Sequence, residues 1–242
     1  MIRTFVSYIL SVFFTTFWGL LGLIFALFSN YMAVTYAVRP WGKTMLWAWG
    51  VKLKVEGIEN LPEGTSIIMY NHQSSFDILA FSAALPIEWK AIMKKEVLHM
   101  PFVGWVSKLS GHYFVSRDGS SGDTKEVKKI VSKIKSGPSV IVAPEGTRSM
   151  DGKLLPFKKG GFLIALLAGV PVVPMVIWGG LNIRKKDQFK IESNKKMFVK
   201  ILEPIDVSKL PRGKRGREEL EERVKSMMEE IINKQLELEN NA

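Results

Sequence analysis

The stretch Asn71-His72-Gln73-Ser74-Ser75-Phe76-Asp77 sets one of the chain's three histidines five residues ahead of a carboxylate. On a continuous helix, positions five apart lie about 140° from each other and their side chains diverge. With His72 on a loop and Asp77 in the first turn of a helix, the two side chains converge. A carboxylate bonded to one imidazole nitrogen holds the tautomer and makes the other nitrogen a better base. The same spacing, Ser74-x-x-Asp77, also fits a helix capping box. Asp77 would then only satisfy backbone donors and the dipole of the first turn, and His72 would be an ordinary loop residue. The stretch alone leaves both readings open.

The flanking residues supply the loop. Ser66 to Tyr70 is a short apolar run that reads as a buried strand, and Ile78 to Phe81 opens a helix that Pro86 stops. Turns at strand ends are where reactive groups are mounted. Two other strand-like runs end in polar residues, His112 to Val115 before Ser116-Arg117, and Ser139 to Ala143 before Pro144-Glu145-Gly146-Thr147-Arg148. Further strands are expected at Val51 to Glu56, Val172 to Trp178 and Met197 to Leu202. Helical spacing marks Thr124 to Lys135, Gly160 to Ala168 and Gly216 to Glu239, the last with Leu220, Val224, Met227, Ile231 and Leu236 roughly aligned. Ile92 to Met100 is apolar with two lysines, and Asp118 to Gly122 reads as a flexible loop. Pro171 and Pro174 suit an edge strand or a strand start. Strands alternating with helices predict an α/β fold, a central mostly parallel sheet flanked by helices. In such sheets ligands bind beyond the carboxyl ends of the strands, so the three polar strand ends are expected to share one crevice.

The totals set limits on that chemistry. The chain has 242 residues, no cysteine and a net charge of +11. The absence of cysteine removes disulfides, thiolate metal ligands and a cysteinyl acyl-enzyme. The positive charge points to an anionic partner. His99 and His112 lack ligand-like spacing with any partner, so no metal is expected. Phosphate-loop and dinucleotide glycine signatures are absent, as is a Gly-x-Ser-x-Gly nucleophile turn. The basic run Lys209, Arg212, Lys214, Arg215 and Arg217 suits anionic lipid or an acidic carrier protein, or simply a solvated helix entry.

From Thr4 to Val38 there is no charged residue. Thr4 to Phe28 alone would make a helix about 37 Å long, enough to cross a hydrocarbon core of roughly 30 Å. A secretory signal is the rival reading, but the apolar region is too long and no small-residue cleavage site follows. Ser29-Asn30 interrupts the run before a second aromatic-rich stretch to Trp49. Arg3 flanks one end, and Arg39, Lys43, Lys52 and Lys54 the other. Basic flanks prefer the cytoplasmic side, so both ends favour one side and a two-helix, membrane-embedded hairpin is expected. The expected division is an anchoring segment at 1–50 and an α/β domain at 51–242 that includes the C-terminal amphipathic helix.

Taken together and in order, Asn71 to Asp77 and Pro144-Glu145-Gly146-Thr147-Arg148-Ser149 resemble the first and third motifs of the glycerolipid acyltransferases. Gly111 to Arg117 is similar to the second motif, with Ser116 where many members carry an acidic residue, and Val170-Pro171-Val172-Val173-Pro174 to the fourth. The resemblance covers roughly Val55 to Val176. It implies acyl transfer from a thioester to the sn-2 hydroxyl of lysophosphatidate, giving phosphatidate at the cytoplasmic face of the cell membrane. His72 and Asp77 would be the general-base pair, and Arg117, Glu145, Gly146, Thr147 and Arg148 would bind substrate. Arg117 and Arg148 suit bidentate phosphate recognition, with Lys94, Lys95 and Lys108 as point charges; the bland alternative for each arginine is a surface ion pair. Glu145 would hold the glycerol portion or orient an arginine, and Gly146 would supply a backbone shape that a side chain forbids.

No bound cofactor is expected. Acyl-CoA or acyl carrier protein would be the co-substrate, and the partners would be a phospholipid membrane and lysophosphatidate, with no nucleic acid. Another lysophospholipid or glycerol-3-phosphate is the alternative acceptor. A lipid hydrolase would need a serine nucleophile turn that is missing, and a non-catalytic basic membrane adaptor would leave the His72–Asp77 spacing as coincidence.

Overall fold

Alternation along the three innermost strands builds the structure. The computed structural model describes residues 2–115, 123–134, 137–183, 192 and 195–240. Seven strands form one sheet: β1 (Lys52–Glu56), β2 (Ile67–Tyr70), β3 (Trp89–Lys94), β4 (Tyr113–Val115), β5 (Ser139–Val142), β6 (Val172–Trp178) and β7 (Lys196–Ile201). Their spatial order is β1-β7-β6-β2-β5-β3-β4, and every neighbouring pair is parallel except β6 with β7. Ile68, Ile141, Val173, Met175 and Ile177 point to one face, while Ile67, Met69, Val140, Val142 and Val176 point to the other. Each such side chain withdrawn from water stabilises the fold by about 1.5–3 kcal/mol, and with both faces apolar the sheet must be covered on both.

One face is covered by α6 (Asp123–Ile134), α7 (Lys159–Ala168) and α8 (Lys214–Asn240). The buried stripe of α8 is Leu220, Val224, Met228 and Ile232, one position on from the expected Met227 and Ile231, which lie at its margin. The opposite face carries α4 (Asp77–Ala84) and the N-terminal helices. Between β3 and β4 lies α5 (Val103–Leu109). The strand β3 lacks a sequence signature of its own because Pro86 and the paired lysines blur its start and end. Pro174 occupies the central strand β6, contrary to the edge position expected of a proline. Its carbonyl accepts from Leu202 N–H, and the reciprocal bond is the one its missing N–H forgoes, at the point where the β7 ladder ends.

The N-terminal helix α1 (Ile2–Phe28) is followed by a short α2 (Asn30–Ala33) that runs through a wider π turn at Val34–Val38 into α3 (Arg39–Ala48). The Ser29 side chain caps the new helix by accepting from Met32 N–H at 3.1 Å. The return arm runs back along α1: Ser7 Oγ donates to Ala48 O, Trp18 Nε1 to Thr44 Oγ1, and Trp41 Nε1 to Thr15 Oγ1. Only α1 is both long and apolar enough to cross a membrane among the described residues. The second arm is too short to meet that criterion. It buries Ala33, Val34, Ala37, Met45 and Leu46 on the side towards α1 and α4 and exposes Tyr31, Tyr36 and Trp47 on the other.

The crossing of α3 over α4 is close enough to require a glycine. A Cβ on Gly42 would stand 2.8 Å from Leu79 O and 2.9 Å from Ala83 N. Alanine in a helix interior normally gains about 1 kcal/mol over glycine, whereas forcing a methyl into a packed backbone contact costs about 1–3 kcal/mol. Gly42→Ala is therefore expected to lower the thermal midpoint of the detergent-solubilised protein, and an unchanged or raised midpoint would contradict this crossing.

Candidate active site

The sharp turn after β2 is held by backbone bonds from both sides. The His72 N–H donates to Glu145 Oε1 at 2.7 Å, and His72 O accepts from Ser149 N–H at 2.8 Å. The turn after β2 and the turn after β5 are thereby tied together, which follows from β2 and β5 being parallel neighbours. Asn71 fastens the other side. Its side-chain amide donates to Ile177 O and accepts from Ile177 N–H, standing in for one rung of the ladder with β6. Gln73 Nε2 donates to Gly152 O.

Within this frame His72 Nδ1 and Asp77 Oδ2 are 2.8 Å apart. The same Oδ2 accepts from Gln73 N–H at 2.8 Å and Ser74 N–H at 2.9 Å. The two readings of the motif are therefore both present, because the carboxylate that caps the helix start is also the one that holds the imidazole. Asp77 is almost wholly buried, while the His72 side chain keeps 25% of its surface exposed. With Nδ1 directed at a carboxylate, the proton belongs there and Nε2 is the basic nitrogen. Gly180, after β6, closes over the pair: a Cβ there would lie 2.7 Å from Ser74 Cβ and 3.2 Å from Asp77 Oδ1.

Glu145 is placed differently from a residue that reaches for substrate. It is buried, and its second oxygen, Oε2, accepts from Leu155 N–H at 2.8 Å. Burial pushes its carboxyl above the usual carboxylate range, and the two backbone donors oppose that shift. Gly146 sits in the left-handed region at φ 69°, and a Cβ there would collide with the Lys158 side chain. Thr147 and Arg148 are exposed, and Arg148 immediately precedes Ser149, whose N–H binds the His72 carbonyl. Arg117 and Ser116 lie outside the described residues, as does the Asp118–Gly122 loop. Lys94, at the end of β3, and the following Lys95 emerge at the same edge of the sheet, while Lys108 is on α5. Among the described residues no group of three His, Asp or Glu could hold a metal ion.

Sequence reasoning missed Asn71, Gln73, Gly180 and Lys158. Two of these had a signal: Asn71 and Gln73 are polar residues on either side of the histidine at the end of an apolar strand, and both are buried.

Alongside α4 a small apolar cleft of about 50 Å³ is lined by Trp18, Trp41, Ile78, Phe102 and Val106, among others. Ile78 is the residue after Asp77, so the cleft abuts the helix that carries the carboxylate. His112 lies in its wall with Nδ1 accepting from Ala91 N–H at 3.2 Å, which puts the ring proton on Nε2. Burial, with Lys90 adding to it, pushes His112 down to about 3. An unfolded chain would take up that proton near pH 6.5. The neutral ring therefore contributes stability that is present above about pH 6.5 and is lost as pH falls towards 3, at up to about 1.4 kcal/mol per pH unit. His112→Asn keeps an acceptor for Ala91 and removes the titration. Its thermal midpoint is expected to fall less than that of the unsubstituted protein between pH 7 and pH 5; parallel falls would assign the acid sensitivity elsewhere.

The acyltransferase family model matches residues 52–178, the span that contains every site feature described above except Gly180 and those from α1 and α3. The chain is 31% identical over 207 residues to the 1-acyl-sn-glycerol-3-phosphate acyltransferase of Saccharomyces cerevisiae, covering 84% of this chain and 67% of that protein. It is 30% identical over 181 residues to the protein of that name from Pseudomonas aeruginosa, covering 72% of this chain and 70% of that one. Against the Limnanthes douglasii protein of the same name, identity is 34% and coverage is 68% of this chain and 58% of that one. Across the curated relatives compared, the chain spans roughly half to two thirds of their length. The crystal structure of the 1-acyl-sn-glycerophosphate acyltransferase PlsC from Thermotoga maritima superposes with a TM-score of 0.76 at 30% identity, covering 95% of each chain. A family model over half of the chain and relatives at this identity lead to one assignment: the chain belongs to the acyltransferase family.

Proposed function

We propose that this chain transfers a fatty acyl group from a thioester to the sn-2 hydroxyl of lysophosphatidate, giving phosphatidate. The observation that carries the reading is the 2.8 Å His72–Asp77 pair at the carboxyl edge of a parallel sheet, with Arg148 one residue from the strand-like clamp on His72. The names of the relatives supply the acceptor.

In the reaction, His72 Nε2 takes the proton of the acceptor hydroxyl as its oxygen attacks the thioester carbon. The developing imidazolium is stabilised by Asp77, which holds Nδ1–H throughout. Collapse of the tetrahedral adduct breaks the carbon–sulfur bond, and the departing thiolate receives the proton from Nε2. No acyl-enzyme forms, because the acceptor hydroxyl occupies the role a serine has in a protease. Glu145 acts through His72: its carboxylate fixes the backbone that carries the base. Arg148, with Arg117, suits the phosphomonoester of the acceptor. The donor carrier is coenzyme A or acyl carrier protein; both are anionic and both suit a chain of net charge +11.

The active site is held at the cytoplasmic membrane surface by α1 lying within one leaflet. Packing supports this placement. Ser7 is bonded to Ala48, just before β1, so the start of α1 lies beside the α/β domain. The far end is docked as well: Asn30 Nδ2 donates to Glu88 Oε1 at 2.7 Å and to Trp89 O at 3.2 Å. Upright crossing by a helix about 40 Å long would carry that polar pair, and the Arg39 bond to Leu85 O, into hydrocarbon at a cost of several kcal/mol.

Two outcomes are expected. His72→Ala should lower thiol release roughly 10²–10⁴-fold while the protein stays folded and membrane-bound; in the same assay Arg148→Ala should raise the Michaelis constant for lysophosphatidate more than that for the thioester. Near-normal turnover in the first, or equal effects on both substrates in the second, would sink the corresponding role. For topology, single cysteines replacing Ile2 and Glu222 in this cysteine-free chain should both react with an impermeant thiol reagent from the same side of sealed vesicles. Labelling from opposite sides would establish a spanning helix.

A further inference from the structure

Exposed apolar side chains are not confined to α1. The loop before α5 and the outer face of α5 expose Met100 (51%), Trp105 (49%) and Leu109 (44%). Trp105 and Leu109 are one helical turn apart and share a face with Lys108, which is also exposed. This segment belongs to the α/β domain, where three exposed large apolar residues on one short element call for a partner.

Its position names that partner. α5 is pressed against the middle of α1 at two glycines: a Cβ on Gly19 would lie 2.5 Å from Phe102 Cβ, and one on Gly22 would lie 3.1 Å from Val106. Phe102 in turn touches the Trp105 ring, with centroids 5.4 Å apart. It is the single non-glycine residue with positive φ, 59°, among the described residues, a costly backbone that persists only when its surroundings enforce it. The α1 residues around this contact, Phe17, Leu20 and Ile24, are themselves about half exposed. The bare face of α5 therefore adjoins the bare face of α1.

The geometry points to α5 as a second membrane-contacting element, within the α/β domain itself, that seats Met100, Trp105 and Leu109 in the interfacial zone of the leaflet holding α1. Trp105 is suited to that zone by its amphipathic ring, and Lys108 extends its amine towards anionic head groups while its stem stays among apolar neighbours. The element fixes the angle of the domain on the surface. A contact set off to one side of α1 restrains the roll of the domain about the α1 axis. The cleft lined by Phe102 and Val106 is thereby kept next to the lipid.

The inference rests on the membrane association read from α1, and the test separates the two. Single cysteines replacing Phe13, Met100, Trp105 or Glu222 are labelled with a nitrobenzoxadiazole fluorophore. The full chain is then reconstituted in phosphatidylcholine–phosphatidylglycerol vesicles containing a spin-labelled lipid. Probes at 100 and 105 are expected to be quenched to within about threefold of the probe at 13, and at least about fivefold more than the probe at 222 on α8. Quenching at 13 with 100 and 105 matching 222 would overturn the α5 contact and leave the α1 anchor standing. Absence of quenching at all four positions would overturn both. Two independent α5 positions keep the result readable when one substitution fails to fold.

Discussion

A single oxygen organises the reactive end of this molecule. Asp77 Oδ2 accepts from His72 Nδ1 and from the N–H groups of Gln73 and Ser74. Three donors at one oxygen offset the cost of taking that carboxyl group out of water. The same bonds turn the chain sharply from β2 into α4, because the donors are the residues of the turn. Turn geometry, helix start and imidazole orientation are therefore one event. A change that disturbs one disturbs the others.

That arrangement is rigid because the histidine is also held through its backbone. Glu145 binds the His72 N–H and Ser149 binds its carbonyl, so the loop after β5 forms the opposite wall of the turn. The price is a second buried carboxyl whose charged form is disfavoured by its surroundings. Asn71 and Gly180 bring in the end of β6. Loops from three adjacent strands thus position one ring, while Thr147 and Arg148 on the β5 loop stay exposed for a ligand. Rigid backbone with exposed polar tips is the pattern expected where orientation supplies much of the rate.

The N-terminal arm shows the same economy at a larger scale. Its first helix presents an apolar surface outward, and its second arm packs one face between that helix and α4 and exposes Tyr31, Tyr36 and Trp47 on the other. Small residues make the layers possible: Gly42 lets α3 approach α4, while Gly19 and Gly22 let α1 approach α5. The apolar cleft exists because these helices and α4 meet around it, so it is lined by the N-terminal arm and the α/β domain together.

Much of this was legible in the sequence. The strands at 67–70, 139–142 and 172–178 are continuous apolar runs, and the paired motifs at 71–77 and 144–149 are local enough to be read in order. Those features depend on neighbours along the chain, which is the information a sequence carries directly. Other features depend on neighbours in space. The role of Glu145 could not be read from its motif, because it is set by which backbone N–H groups lie opposite once β2 and β5 pair. Tyr31 to Trp49 is apolar enough to suggest lipid, and only the packing against α1 and α4 shows that protein covers one of its faces while Tyr31, Tyr36 and Trp47 stay exposed. Pro174 suited an edge or a strand start by its missing N–H, and tertiary structure put it near the start of a central strand, where the β7 ladder ends. The sequence determined which residues could do chemistry; only folding, by choosing what each buried polar atom faces, decided which of them stay exposed and which hold the others in place.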